Sequence, residues 1–124
     1  TQPEGPGAFY PATVIAEVVP GMAAFDEETF GPVAAVARAK DEKHALALAA
    51  RTSFGLGAAV FTRDTERGLR IAREELRAGV CAFNTLVASD PRVPFGGIGD
   101  SGYGRELGTE GIREFVNTKT VLVG

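Results

Sequence analysis

An α/β fold built on a parallel sheet is the class this sequence predicts, and three observations predict it. Apolar runs suited to strands alternate with capped helical stretches between residues 33 and 83, in the order strand, helix, strand, helix, strand. The connections between them are short, as in βαβ units. The runs VAAVA, AAVFT and VCAF are continuously apolar instead of alternating, the pattern of strands covered on both faces.

Taken in order, residues 1–8 carry two prolines and two glycines with little apolar content, which predicts a flexible lead-in, with order beginning near Phe9. The β-branched run Thr13 to Val19, closed by Pro20-Gly21, predicts a strand, and Met22 to Phe25 one helical turn. After the acidic and aromatic stretch Asp26 to Pro32, Val33 to Ala37 reads as a short buried strand. Asp41 stands where an N-cap belongs, and strong helix formers run from there to Arg51, with Gly55 and Gly57 marking the stop. Ala58 to Thr62 is the next strand. Asp64 then caps a helix through Ala78, with Leu69, Ala72 and Leu76 on one stripe and Ile71 off it, aimed at a second neighbour. Gly79 ends that helix and Val80 to Phe83 forms a further buried strand. A long loop over residues 85–107 follows, of a length that is usually functional or disordered. Gly108 to Phe115 predicts a short helix, and Val116 to Val123 a last strand.

Composition narrows the partners. The 124 residues have room for one domain or a large piece of one, and 44% of them are hydrophobic. A net charge of −3 with no basic cluster gives no reason to expect nucleic acid or an anionic membrane surface. No apolar run has the length of a membrane span and the first residues lack the pattern of a signal peptide, so a cytoplasmic protein is expected. The single cysteine, Cys81, cannot form an internal disulfide, in keeping with a reducing compartment. Residue 1 is Thr and the only methionine is Met22; either a starting Met has been removed or the chain is part of a longer one.

The most unusual stretch is Pro94 to Glu106, PFGGIGDSGYGRE, with five glycines in thirteen residues. Gly97, Gly99 and Gly102 have the spacing of a dinucleotide fingerprint. That fingerprint needs a strand before it and a helix opening at its end, and here a Pro-Phe turn precedes it and Gly104 follows. The stretch reads instead as a shaped turn beside a pocket. Cys81 lies in mid-strand between apolar neighbours, the setting of a small buried hydrophobe and not of an activated thiolate. His44, in the first turn of a helix with no second His or Cys nearby, belongs to a solvated face and not to a metal site. Glu27 and Glu28 could be ordinary turn residues. The ring of Phe30 two residues after Glu28 opens a second reading, in which the carboxylate accepts both hydroxyls of a ribose diol while the ring packs against sugar or heterocycle.

Five motifs, in order and spacing, resemble the C-terminal part of an NAD(P)-dependent aldehyde dehydrogenase: EETFGP at 27–32, SFGLGAAVFTRD at 53–64, GVCAFN at 79–84, PFGGIGDSGYGREL at 94–107 and GIREFVNTKTV at 111–121. The likeness runs from about Gly7 onward. ASDPRVPFGG with SGYGREL and IREFVNTKTV is most similar to bacterial succinate-semialdehyde dehydrogenases.

That resemblance implies an α/β fold that is the parallel-sheet part of the family's catalytic domain, over residues 9–107. Residues 108–124 would add a short helix and an oligomerisation strand joining a neighbouring subunit's sheet, in a homodimer or homotetramer. It implies oxidation of an aldehyde, succinate semialdehyde first among them, to the acid with NAD or NADP, by thiolate attack, hydride transfer and hydrolysis of a thioester. The motifs of the nucleophilic cysteine and the general base are not in this sequence, and Cys81 does not match the former. No catalytic residue is therefore expected here, no metal site, and no turnover from this chain by itself. What carries over is the wall of the site: Glu28 on the nicotinamide ribose, Phe30 beside it, Phe95 in the aldehyde tunnel and Ser89 near the substrate carboxylate. Gly99 departs from the family pattern, which has a lysine there, and Asp100 follows it. The competing readings are an aldehyde dehydrogenase for another aldehyde and a non-catalytic structural or oligomerisation module of the same fold.

Overall fold

The computed structural model describes residues 5–124; the first half of the expected lead-in lies outside the described residues, and residues 5–8 are exposed. The chain divides between Arg51 and Thr52 into two compact units.

In the first unit, strand β1 (Thr13–Ile15) pairs in parallel with β2 (Val33–Ala35), Thr13 opposite Val33 and Ile15 opposite Ala35. Both strands are shorter than the sequence predicts. Glu17 is the reason in β1: its φ of 56° lies in the left-handed region, which turns the chain out of the ladder. Its carboxylate accepts from Arg38 Nε and Nη2 at 3.0 and 2.8 Å, an exposed pair worth at most about 1 kcal/mol. The Val18 amide still donates to the Val36 carbonyl at 3.0 Å, and Val18 is the most deeply buried side chain, 1% exposed. The expected burial of β2 is not found: Ala34 and Ala35 are exposed, because a strand buried on both faces needs layers on both and β2 has β1 as its one strand partner.

Helix α1 (Ala23–Asp26) is the single turn foreseen. Helix α2 (Glu42–Ala49) starts where its cap predicts, with Asp41 Oδ1 accepting from the His44 amide at 2.7 Å. The His44 ring is half-buried instead of solvated, its Nδ1 accepting from the Lys40 amide at 3.3 Å.

In the second unit, β3 (Gly57–Val60) and β4 (Val80–Phe83) run parallel, Gly57 opposite Val80 and Val60 opposite Phe83. The ladder does not stop at Phe83. Asn84, at φ 52°, turns its amide back on Thr62, with Oδ1 accepting from the Thr62 amide at 2.9 Å and Nδ2 donating to its carbonyl at 2.8 Å. Between the strands lies helix α3 (Thr65–Arg70), capped by Asp64 Oδ1 on the Arg67 amide at 3.0 Å.

The single helix expected as far as Ala78 is interrupted. Residues Ile71–Glu75 form a π turn, closed by the Leu76 amide on the Ile71 carbonyl five residues back. Ile71, not the Leu69, Ala72 and Leu76 stripe, is the residue buried most deeply there, with Ala82 of β4 the other buried apolar side chain of this unit. Four predicted strands thus become two separate parallel pairs, each inside its own unit. Helix α4 (Gly108–Arg113) matches the expected short helix. The last strand is absent: residues 117–124 are neither helix nor strand, and Val121, Leu122 and Val123 are exposed. An edge strand exists only when another backbone pairs with it.

Candidate functional site

Glu28 and Phe30 lie on the loop joining α1 to β2. Backbone bonds pin both ends of that loop, the Glu27 amide on the Ala23 carbonyl at 2.9 Å and the Thr13 amide on the Pro32 carbonyl at 2.8 Å. Between the pins the side chains are free. Phe30 is 93% exposed, and none of the hydrogen bonds among the described residues engages the exposed Glu28 carboxylate. A carboxylate with its lone pairs unspent, two residues before a bare ring, fits a sugar diol bearing a heterocycle.

The glycine-rich stretch is fastened at three levels in the second unit. At its base, Phe95 and Glu106 exchange both backbone bonds, at 2.7 and 2.8 Å, closing residues 95–106 into a ring. At its middle, the Ile98 amide donates to the Gly55 carbonyl at 3.1 Å, the Asp100 amide to the Ser53 carbonyl at 3.0 Å, and Ser101 Oγ accepts from the Gly55 amide at 3.0 Å. Inside the ring, Arg105 Nη1 donates to the Gly97 and Gly104 carbonyls at 2.9 and 2.6 Å. These bonds seat the loop on Ser53 and Gly55 and spend Arg105 Nη1 on the loop's own carbonyls, which makes it a fastened wall of this unit.

Two glycines make the close contacts possible. A Cβ on Gly79 would collide with the Gly96 carbonyl oxygen. Gly99, at φ +60°, faces the Ser53 carbonyl so closely that a Cβ there would collide as well. A lysine at this position, which the resemblance led one to expect, would bring that Cβ against the Ser53 carbonyl.

The ring of the half-buried Phe95 borders a hollow of about 390 Å³ with Leu56, Gly97, Tyr103, Arg105 and Phe115. Ser89 is exposed on the same connection, six residues earlier. Between them lies a constellation that residue-by-residue reading missed. Asp90 Oδ1 accepts from the Arg92 amide and from Arg92 Nε, both at 2.9 Å, while Oδ2 accepts from Nη2 at 2.5 Å. The Val93 amide on the Asp90 carbonyl at 3.1 Å completes the turn. Arg92, through its guanidinium first and its backbone amide second, holds the Asp90 carboxyl below its usual value. Asp two residues before Arg in a Pro-containing turn was the available signal.

Cys81 is half-buried in β4, and its Sγ lies 3.6 Å from the Ala78 carbonyl oxygen and 3.7 Å from that of Leu76. Among the described residues no group of three or more His, Cys, Asp or Glu could hold a metal ion, and no helix is long and apolar enough to cross a membrane.

The model of the aldehyde dehydrogenase family matches residues 1–121. The chain is 48% identical over 120 residues to the succinate-semialdehyde dehydrogenase [NADP(+)] of Deinococcus radiodurans, covering 97% of this chain and 25% of that protein. It is 50% identical over 117 residues to the succinate semialdehyde dehydrogenase [NAD(P)+] of Escherichia coli, covering 94% of this chain and 25% of that protein. Among solved structures, an aldehyde dehydrogenase of Mycobacterium tuberculosis complexed with NAD+ superposes with a TM-score of 0.84 at 40% identity, over 90% of this chain and 23% of that one. The chain therefore spans about a quarter of the length of the relatives it matches.

Proposed function

The chain belongs to the aldehyde dehydrogenase family, and from that premise we propose that it is the C-terminal part of the catalytic domain of a cytoplasmic enzyme that oxidises succinate semialdehyde to the acid with NAD or NADP. The observation that carries the reading is the pairing of an uncommitted Glu28 carboxylate and a bare Phe30 ring on a loop pinned at both ends. Nearly half of the residues are shared with succinate-semialdehyde dehydrogenases along almost the whole chain.

In this reading the bound dinucleotide supplies the hydride acceptor. Glu28 accepts the two ribose hydroxyls and so fixes the ring they carry, and Phe30 covers one side of it. Phe95, held at its backbone by Glu106, presents its ring to the aldehyde chain and helps exclude water from it. Ser89 offers a hydroxyl to the substrate's far end. The nucleophilic cysteine that forms the thiohemiacetal and thioester, and the glutamate that activates water, come from elsewhere in the full protein; residues 1–124 alone carry out no turnover.

Residues 9–107 belong to the catalytic domain. Residues 108–124 supply the short helix and, from Val116 to Val123 with Val121, Leu122 and Val123 bare, the strand that joins the sheet of a second copy in a dimer or tetramer. Steady-state kinetics of the full-length enzyme over a panel of aliphatic, aromatic and amino aldehydes test the substrate. Succinate semialdehyde should stand among the best by kcat/KM; a panel led by other aldehydes, with succinate semialdehyde among the worst, sinks the assignment.

A further inference from the structure

The first unit holds a hollow of about 270 Å³ between the stretch that follows β1 and helix α2. Its floor is apolar: Val18 is buried, and Pro20 and Leu48 are half-buried. Its rim is cationic and donor-rich, formed by Arg38, Arg51 and His44, and no Asp or Glu lines it among the described residues. The bonds already made show which donors remain. Glu17 Oε1 takes Nε and Nη2 of Arg38, which leaves Nη1. No hydrogen bond or ion pair among the described residues engages the exposed Arg51 guanidinium. The Lys40 amide occupies His44 Nδ1, so the neutral ring carries its hydrogen on Nε2, a third donor. The backbone under these groups is fastened: Asp41 Oδ1 caps α2, the Arg51 amide donates to the Leu48 carbonyl at 3.2 Å, and the Val18 amide donates to the Val36 carbonyl. Donors alone around an apolar floor select a ligand with acceptors at one end and an apolar body at the other. A planar carboxylate is the acceptor that a guanidinium fork matches. The volume lies just below the roughly 300–1,000 Å³ of drug-sized sites, so the body is a short chain.

We infer that this hollow binds a short-chain organic carboxylate, its head group held by Arg51 and Arg38 Nη1 and its alkyl chain laid on Val18, Pro20 and Leu48. The inference does not rest on the substrate assignment above, in which none of these residues has a part.

The test is calorimetric titration of hexanoate into the full-length enzyme and its Arg51→Gln and Arg51→Lys variants. Loss of a charge-assisted contact predicts that Arg51→Gln weakens one class of hexanoate sites about 10- to 100-fold. Arg51→Lys should recover part of the loss, since the charge returns without the fork. Acetate carries the head group without the chain, and it should bind these sites at least about tenfold more weakly than hexanoate does. Hexanoate held at the aldehyde wall instead would bind the unsubstituted enzyme and Arg51→Gln equally. That equality overturns the inference, as does the absence of any hexanoate binding, which would mean that another part of the full protein fills the hollow. Acetate binding as tightly as hexanoate would remove the apolar floor from the site and overturn it as well. Turnover of succinate semialdehyde does not enter the readout, so failure here leaves the substrate reading to its own kinetic test.

Discussion

Replacing Glu28 by Gln in the full-length enzyme should slow hydride transfer by about 10- to 100-fold in a single-turnover experiment, with a smaller change in dinucleotide affinity. The reason is positional. Glu28 spends none of its acceptor capacity within the described residues, so both oxygens are available to the ribose diol. Gln offers one acceptor and one donor, and the donor faces a hydroxyl that must then reorient. The binding surface on the rest of the dinucleotide stays, so the loss falls on placement of the reacting ring. Rapid mixing of enzyme loaded with NAD(P)+ against aldehyde reads that step directly. An unchanged single-turnover rate would remove Glu28 from the site.

Gly79→Ala is the substitution expected to cost the most stability. Gly79 ends the stretch after the π turn and donates its amide to the Gly55 carbonyl at 2.9 Å, and that same carbonyl accepts from Ile98. One acceptor therefore fastens both the start of β4 and the glycine-rich loop. A methyl group on Gly79 would collide with the Gly96 carbonyl oxygen, which is backbone and cannot rotate away. Overpacking of this kind costs about 3 kcal/mol, and the relief available is to push the Gly96 segment off its seat. Phe95 is the adjacent residue, so the surviving protein should also bind aldehyde more weakly. Denaturant unfolding of the full-length enzyme checks the first effect. A midpoint equal to that of the unsubstituted enzyme would show that the loop is not seated as described.

Much of the scaffold was legible because it depends on local chemistry. Asp41 and Asp64 cap α2 and α3 through the bonds that their position before a run of helix formers predicts. Val80 to Phe83 forms its strand within the bounds read from the sequence. What was not legible depends on partners distant in sequence or on rare backbone states. Glu17 adopts positive φ, which its residue type does not advertise, whereas Asn84 is of a type enriched there but not marked in the sequence as a turn. The π turn needs an i to i+5 bond that leaves no mark on a helical pattern. The strand expected at Val116 to Val123 was read from apolar alternation, but strand structure is a property of a pair of backbones, and no second one is described here.

The wall of the candidate site divides in the same way. Glu28, Phe30, Ser89 and Phe95 came from resemblance, with residue chemistry giving only the first two a weak voice of their own. The glycine-rich stretch announced a shaped turn through its composition. Its seating on Ser53 and Gly55, and the tie from Arg105 to Gly97, were not legible, because these bonds run between residues eight to forty-seven positions apart.

The central claim is that this chain supplies the wall of an aldehyde dehydrogenase site while the reacting sulfur lies outside it. Cys81→Ala in the full-length enzyme tests that claim most directly, since Cys81 is the only sulfhydryl among these 124 residues. The sulfur makes two weak contacts to backbone carbonyls, and a small apolar side chain replaces it at little expense. Turnover of succinate semialdehyde within about twofold of the unsubstituted enzyme is the predicted result, as expected when no nucleophile has been removed. Abolished turnover in a variant that still folds and binds NAD(P)+ would contradict it.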